Sequence, residues 1–136
     1  MIRRIVIFAV FLALSLANAM AQNSIDKLVD NYASIGSSSF TSAVERDPKT
    51  LKVKKVVNVL KLSHMDISKF VSAFKRESEG GDFTEKYDSE GYSMILTVRK
   101  PAQNRIYMLR GSDPYYPGRR DTKYSQVKIT IIVNYK

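Results

Sequence analysis

The sequence predicts an α+β two-layer sandwich: a twisted, mainly antiparallel sheet of about five strands with two helices on one face, in the order α-β-β-α-β-β-β. Three observations predict it. Two stretches carry apolar residues at i, i+3, i+4 and i+7, the period of one helix face. Other stretches are rich in β-branched residues and alternate apolar with polar positions, as half-buried strands do. Those strands follow one another as hairpins or near-hairpins, and neither helix stands as a regular crossover between parallel strands.

Residues 1–21 are set aside first. A basic start (Arg3, Arg4), an apolar run from Ile5 to Leu16 and a small-residue end have the pattern of a secretory signal peptide, too short in its apolar part to span a bilayer. Two A-x-A sites compete, and cleavage is expected after Ala21, before Gln22. Residues 22–136 then form a single domain, large enough for one modest core. Losing Arg3 and Arg4 from 22 basic side chains leaves 20 against 13 acidic ones, a net charge of +7.

In chain order, Ser24 is read as the cap of a helix bearing Ile25, Leu28, Val29 and Tyr32, stopped by Gly36. Phe40 to Arg46 alternates as a strand, and Asp47-Pro48-Lys49-Thr50 is a turn with proline at its second position. Leu51 to Leu62 returns as a long strand, so the two form a hairpin. Its parity is split: Val53, Val57 and Val59 share one face while Val56, Leu60 and Leu62 share the other. Either both faces are partly covered or a bulge resets the phase, and the reading favours the bulge.

The second helix has the stripe Ile67, Phe70, Val71 and Phe74. Ser63 and Asp66 are read as its capping box, Leu62 and Ile67 as its hydrophobic staple. Lys75 and Arg76 suit its C-terminal dipole, and Gly80-Gly81 ends it. Glu77 to Gly91 is read as mostly loop, with room for a short strand at Phe83 to Tyr87. Tyr92 to Lys100 is a clear strand with Tyr92, Met94, Leu96 and Val98 inward. Pro101 to Asn104 turns the chain into a strand at Arg105 to Arg110. A long loop from Gly111 to Lys123 leads to the last strand, Tyr124 to Tyr135, with Val127, Ile129, Ile131 and Val133 inward. The open face of the sheet is expected to carry Lys, Thr, Ser and Asn, and most of the positive charge.

Little in the chain points to catalysis. With no cysteine there can be no disulfide framework, thiolate metal site or Cys nucleophile. His64 is the single histidine, placed by this reading in a helix's first turn, beside Ser63 and Asp66 whose capping roles already account for them. Glu77, Glu79, Asp82, Glu85, Asp88 and Glu90 sit in a glycine-rich stretch, but their spacing does not match an EF-hand and Lys86 opposes a cation. No phosphate loop, G-x-S-x-G or H-E-x-x-H occurs. No catalytic residue, metal site or cofactor is therefore assigned.

One stretch has a binding composition. Between Arg110 and Asp121, Tyr115 and Tyr116 lie between prolines, with Arg110, Arg119 and Arg120 around them. Tyrosine and arginine are enriched at recognition surfaces, and loops of this length are usually functional or disordered. These five residues are the candidate binding site. The expected function is that of a small exported, non-enzymatic binding or envelope-associated protein, periplasmic or secreted. Its partner would be an anionic envelope component or another protein rather than nucleic acid, with no transmembrane segment in the mature chain. The alternative is a hydrolase or other enzyme whose site is assembled from scattered residues.

The signal-peptide end at Ala21-Gln22, the segment from Ile25 to Thr50 and the hairpin from Tyr92 to Gly111 resemble a family of small exported proteins from Bacteroidetes, catalogued as domains of unknown function. The resemblance spans the mature chain. It implies an envelope or secreted location and supplies no activity, cofactor or partner.

Overall fold

The computed structural model describes residues 23–35, 38–113 and 122–136. Its element order is α1 (Ser24–Ala33), β1 (Ser39–Arg46), β2 (Val53–Asp66), α2 (Ser68–Glu77), a 3-10 turn (Ser78–Gly80), β3 (Asp82–Asp88), β4 (Gly91–Arg99), β5 (Gln103–Ser112) and β6 (Lys123–Tyr135). One antiparallel six-stranded sheet has the spatial order β1-β2-β6-β5-β4-β3. The last strand thus lies in the middle, zipped between β2 and β5, and β1 and β3 form the two edges.

Both helices contribute to a single core on one face. Ile25 and Val29 from α1 join Phe70, Ala73 and Phe74 from α2, all buried, over Leu60, Met94, Leu96, Tyr107, Leu109, Ile129 and Ile131 of the sheet. Leu28, Tyr32 and Val71 complete the helix stripes at the margin, with the Tyr32 and Phe70 rings 5.4 Å apart. The helices are tied together at one end, where the Ser24 hydroxyl and amide both donate to Glu77 Oε1, at 2.7 and 3.1 Å.

The expected architecture holds at the level of an antiparallel sheet with two helices, but six strands form rather than five, in the order α-β-β-α-β-β-β-β. The added strand is β3, in the stretch read as mostly loop. It realises the short strand allowed for at Phe83 to Tyr87, one residue longer at each end. Its many charges suit an edge strand, where only Phe83 packs partly against the core. The β3–β4 turn is closed by Asp88 Oδ1, which accepts from the amides of Glu90 (2.8 Å) and Gly91 (3.0 Å).

The helix starts also differ from expectation. In α1 the cap is Asn23, one residue earlier, and its capping box is completed by Asp26. In α2 no capping box forms, because Ser63 to Asp66 belong to β2, where Met65 pairs with Tyr124 and Asp66 with Lys123. The ladder to a central strand satisfies both backbones at once, which a local cap cannot match. Asp66 Oδ1 instead accepts from the Ser68 amide at 2.9 Å, and the Ile67 amide donates to the Thr122 carbonyl at 2.8 Å. His64 therefore sits in a strand with φ of 51°. Across from it the alternation of β6 changes phase, so that Tyr124 is buried although Gln126 is exposed.

A bulge occurs in β2, but at its start and not between the valine and leucine sets, where it would reset the phase. Glu45 pairs with Lys55 but Arg46 with Val53, leaving Lys54 as the extra residue. From Val56 to Leu62 the register with β6 is unbroken, so Val57 and Val59 face away from Leu60 and Leu62 by plain alternation. The apolar residues of this strand therefore serve both faces, the alternative to a phase-resetting bulge.

Candidate functional site

The open face of the sheet is built by the residues that alternate with the core positions. Its rows follow from the strand registers. One row runs Ala43, Val57, Ile132, Ile106, Thr97 and Asp82 across the six strands. The next runs Thr41, Val59, Thr130, Met108, Ile95 and Thr84 across all six. Together they make an apolar and threonine-bearing band through the middle of the face, with Ile95 42% exposed and the other large members half-buried by their neighbours.

A cationic row borders this band on one side and a row of mixed charge on the other. On one side Lys61, Lys128 and Arg110 stand side by side on β2, β6 and β5, followed by Ser93 and then Lys86. Adjacent strands lie about 4.8 Å apart, so three like charges occupy consecutive positions of one ladder row. Such an arrangement costs stability when nothing intervenes. Among the described residues only Arg110 of these has an ion pair, its Nη2 lying 2.7 Å from Glu90 Oε2. The row on the other side holds Glu45, Lys55, Asn134, Asn104 and Arg99, and Arg99 is paired with Asp82.

Of the five sequence-predicted site residues, Arg110 is exposed at the end of β5 and belongs to the cationic row. Tyr115, Tyr116, Arg119 and Arg120 lie outside the described residues. The chain leaves β5 after Ser112 and rejoins the sheet at Lys123, at the same end of the face as that row.

The open face carries the Lys, Thr, Ser and Asn residues expected from alternation, but an apolar band runs between them. Ile95, Ile106, Met108 and Ile132 each flank a core residue and so escape a reading by alternation, whereas Val57 and Val59 stand on the face opposite Leu60 and Leu62 as their parity predicts. The available signal was the failure of alternation itself, in Met94-Ile95-Leu96, Ile106-Tyr107-Met108-Leu109 and Ile131-Ile132. A strand apolar at consecutive positions has a second face to cover.

Elsewhere the titratable groups are occupied by the fold. Arg105 Nη1 donates to Asp26 Oδ2 at 3.0 Å, and the Tyr107 hydroxyl donates to the same oxygen at 3.1 Å, all three buried beneath α1. Burial pushes the Asp26 carboxyl above its usual 3.8, against the pull of Arg105 and the Asn23 amide. Burial also works against the Arg105 guanidinium, but the Tyr107 oxygen and Asp26 more than offset it. The Tyr92 hydroxyl donates to Glu85 at 2.5 Å, and burial with that carboxylate raises its pKa. On the helix layer, Lys27, Asn31, Lys69, Ser72 and Arg76 line an open groove of about 420 Å³ between α1 and α2.

Among the described residues there is no group of three or more His, Asp or Glu side chains placed to hold a metal. No described helix is long and apolar enough to cross a membrane. No family model matches the chain, and no solved structure matches it.

Proposed function

We propose that the protein is an exported, non-enzymatic binding protein that docks through the open face of its sheet on an anionic lipid surface of the cell envelope. The reading rests on the unneutralised run Lys61–Lys128 beside an exposed apolar band. An anionic headgroup relieves the repulsion along that row while acyl chains or glycerol carbons cover Val59, Met108 and Ile95. The face is one side of a six-stranded sheet, a breadth that suits an extended surface. Export is carried by the pattern of residues 1–21, and of the five residues singled out by composition Arg110 stands in the cationic row itself.

The test is sedimentation of the protein with vesicles of phosphatidylglycerol or of phosphatidylcholine. Binding is expected to the anionic vesicles only, and to weaken with salt as the Debye length falls from about 10 Å at 0.1 M to about 3 Å at 1 M. Each lysine near such a surface contributes about 1 kcal/mol, so Lys61→Gln with Lys128→Gln should weaken binding roughly 30-fold. Equal binding of the double variant, or none by the wild type, overturns the reading. Retained capture of a protein partner by the double variant would favour a protein interface instead.

A further inference from the structure

The two edges of the sheet are not alike. β3 carries Asp82, Glu85, Lys86 and Asp88 in seven residues, the charge density that keeps an edge from pairing. β1, Ser39–Arg46, holds its only charges at its end, Glu45 and Arg46, and contains no lysine and no proline. Its one irregularity is also at that end, so the stretch from Ser39 to Glu45 pairs regularly with β2 and leaves a straight edge on the other side. No residue of the strand is buried. Phe40 and Val44, on the helix side of the sheet, are 39% and 44% exposed.

We infer that β1 is the docking edge for a second copy of this chain, paired antiparallel about a two-fold axis through Ser42. In an antiparallel pair, opposed residues share a face, so the sum of their numbers must be even for two copies of β1. The register centred on Ser42 sets Phe40 of each copy against Val44 of the other, an aromatic and β-branched cross-strand pair made twice. It also sets Thr41 against Ala43 and Ser39 against Glu45. On the open face Glu45 then lies between Lys55 of its own copy and the partner's Ser39, whose neighbour on β2 is Lys61. Centring on Ala43 instead would oppose Phe40 to Arg46 and Val44 to Ser42, leaving both apolar side chains without an apolar partner. A two-fold normal to the sheet keeps both open faces on one side, so the pair presents a continuous twelve-stranded surface. The inference stands on the edge and does not depend on what the open face binds.

The absence of cysteine makes the test clean. Ser42→Cys places two thiols opposite each other across the axis, within the ~4.4–6.8 Å Cα separation a disulfide needs. Thr41→Cys places them two residues out of step, roughly 8 Å apart from strand spacing and rise. Under mild oxidation Ser42→Cys should give a covalent dimer, Thr41→Cys should not, and adding Phe40→Lys to Ser42→Cys should abolish the product while circular dichroism stays unchanged. Sedimentation velocity of the wild type should show a concentration-dependent dimer that Phe40→Lys removes. Equal cross-linking at 41 and 42, cross-linking at 41 alone, or a monomer throughout the concentration series overturns the proposal.

Discussion

Arg105 on β5 reaches Asp26 on α1 at 3.0 Å, across 79 residues of sequence, with both side chains under 10% exposed. This pair fixes the first helix over the sheet. Asp26 serves three donors at Oδ2: the Arg105 guanidinium, the Tyr107 hydroxyl and the Asn23 amide that closes the capping box. A ten-residue helix is marginal alone, so a buried polar anchor beside Ile25 and Val29 decides where it rests. Removing one partner of such a pair leaves a buried charge, so Asp26→Ala should cost ~3–5 kcal/mol. Asp26→Asn, which keeps an acceptor oxygen, should cost clearly less, and urea unfolding of the two variants separates them.

The same carboxyl gives a pH dependence of known sign. Its folded pKa lies above 3.8, so between 3.8 and that raised value the folded chain holds a proton the unfolded chain has released. Stability therefore falls as pH rises through that window and stays lower above it. Urea midpoints of wild type and Asp26→Asn across pH 3 to 8 should show the variant gaining on the wild type as pH rises from about 4. A gap moving the other way would mean that Arg105, rather than burial, dominates.

The sheet-facing stripe of α2 supplies the next expectation. Phe70 and Phe74 are both fully buried, so Phe70→Ala or Phe74→Ala should each cost ~3–5 kcal/mol. Exposed Lys75→Ala should stay within about 0.5 kcal/mol, as read from denaturant midpoints. Similar small losses at all three positions would contradict the core described for α2.

Gly91 opens β4 with φ of 146°, and a Cβ there would lie 2.1 Å from the carbonyl oxygen of Gly111. Neither the dihedral nor the backbone contact can relax cheaply, so Gly91→Ala should cost more than ~1 kcal/mol. Thermal unfolding of the variant reads that loss directly, and an unchanged midpoint would mean the β4–β5 edge adjusts freely.

Much of the fold was legible where one physical requirement acted alone. Tyr92, Met94 and Leu96, like Val127, Ile129, Ile131 and Val133, alternate because one face meets the helices, and all are buried as read. The stripe Phe70 and Phe74 was legible for the same reason. The start of α2 was not, because Ser63 and Asp66 fit a cap as well as a strand, and only the distant segment around Lys123 and Tyr124 decides between them. β3 was legible only as room for a short strand at Phe83 to Tyr87, because an edge strand tolerates charges that blur its alternation. Asp26 and Arg105 could not be paired from sequence, since nothing local links a helix cap to a strand far along the chain. As for the site, the arginine-tyrosine stretch was visible by composition. The apolar band with its lysine row needed the registers of β2, β6 and β5, which place Val59, Thr130 and Met108 abreast.

Because the chain lacks cysteine, a single thiol at Met108 can carry an environment-sensitive fluorophore in the centre of the open face, and one at Glu79 can report from the helix layer. With phosphatidylglycerol vesicles, emission from position 108 should shift to the blue and rise, emission from position 79 should stay as in buffer, and the shift at 108 should vanish with Lys61→Gln and Lys128→Gln. A shift at 79 with none at 108 would contradict docking through the open face.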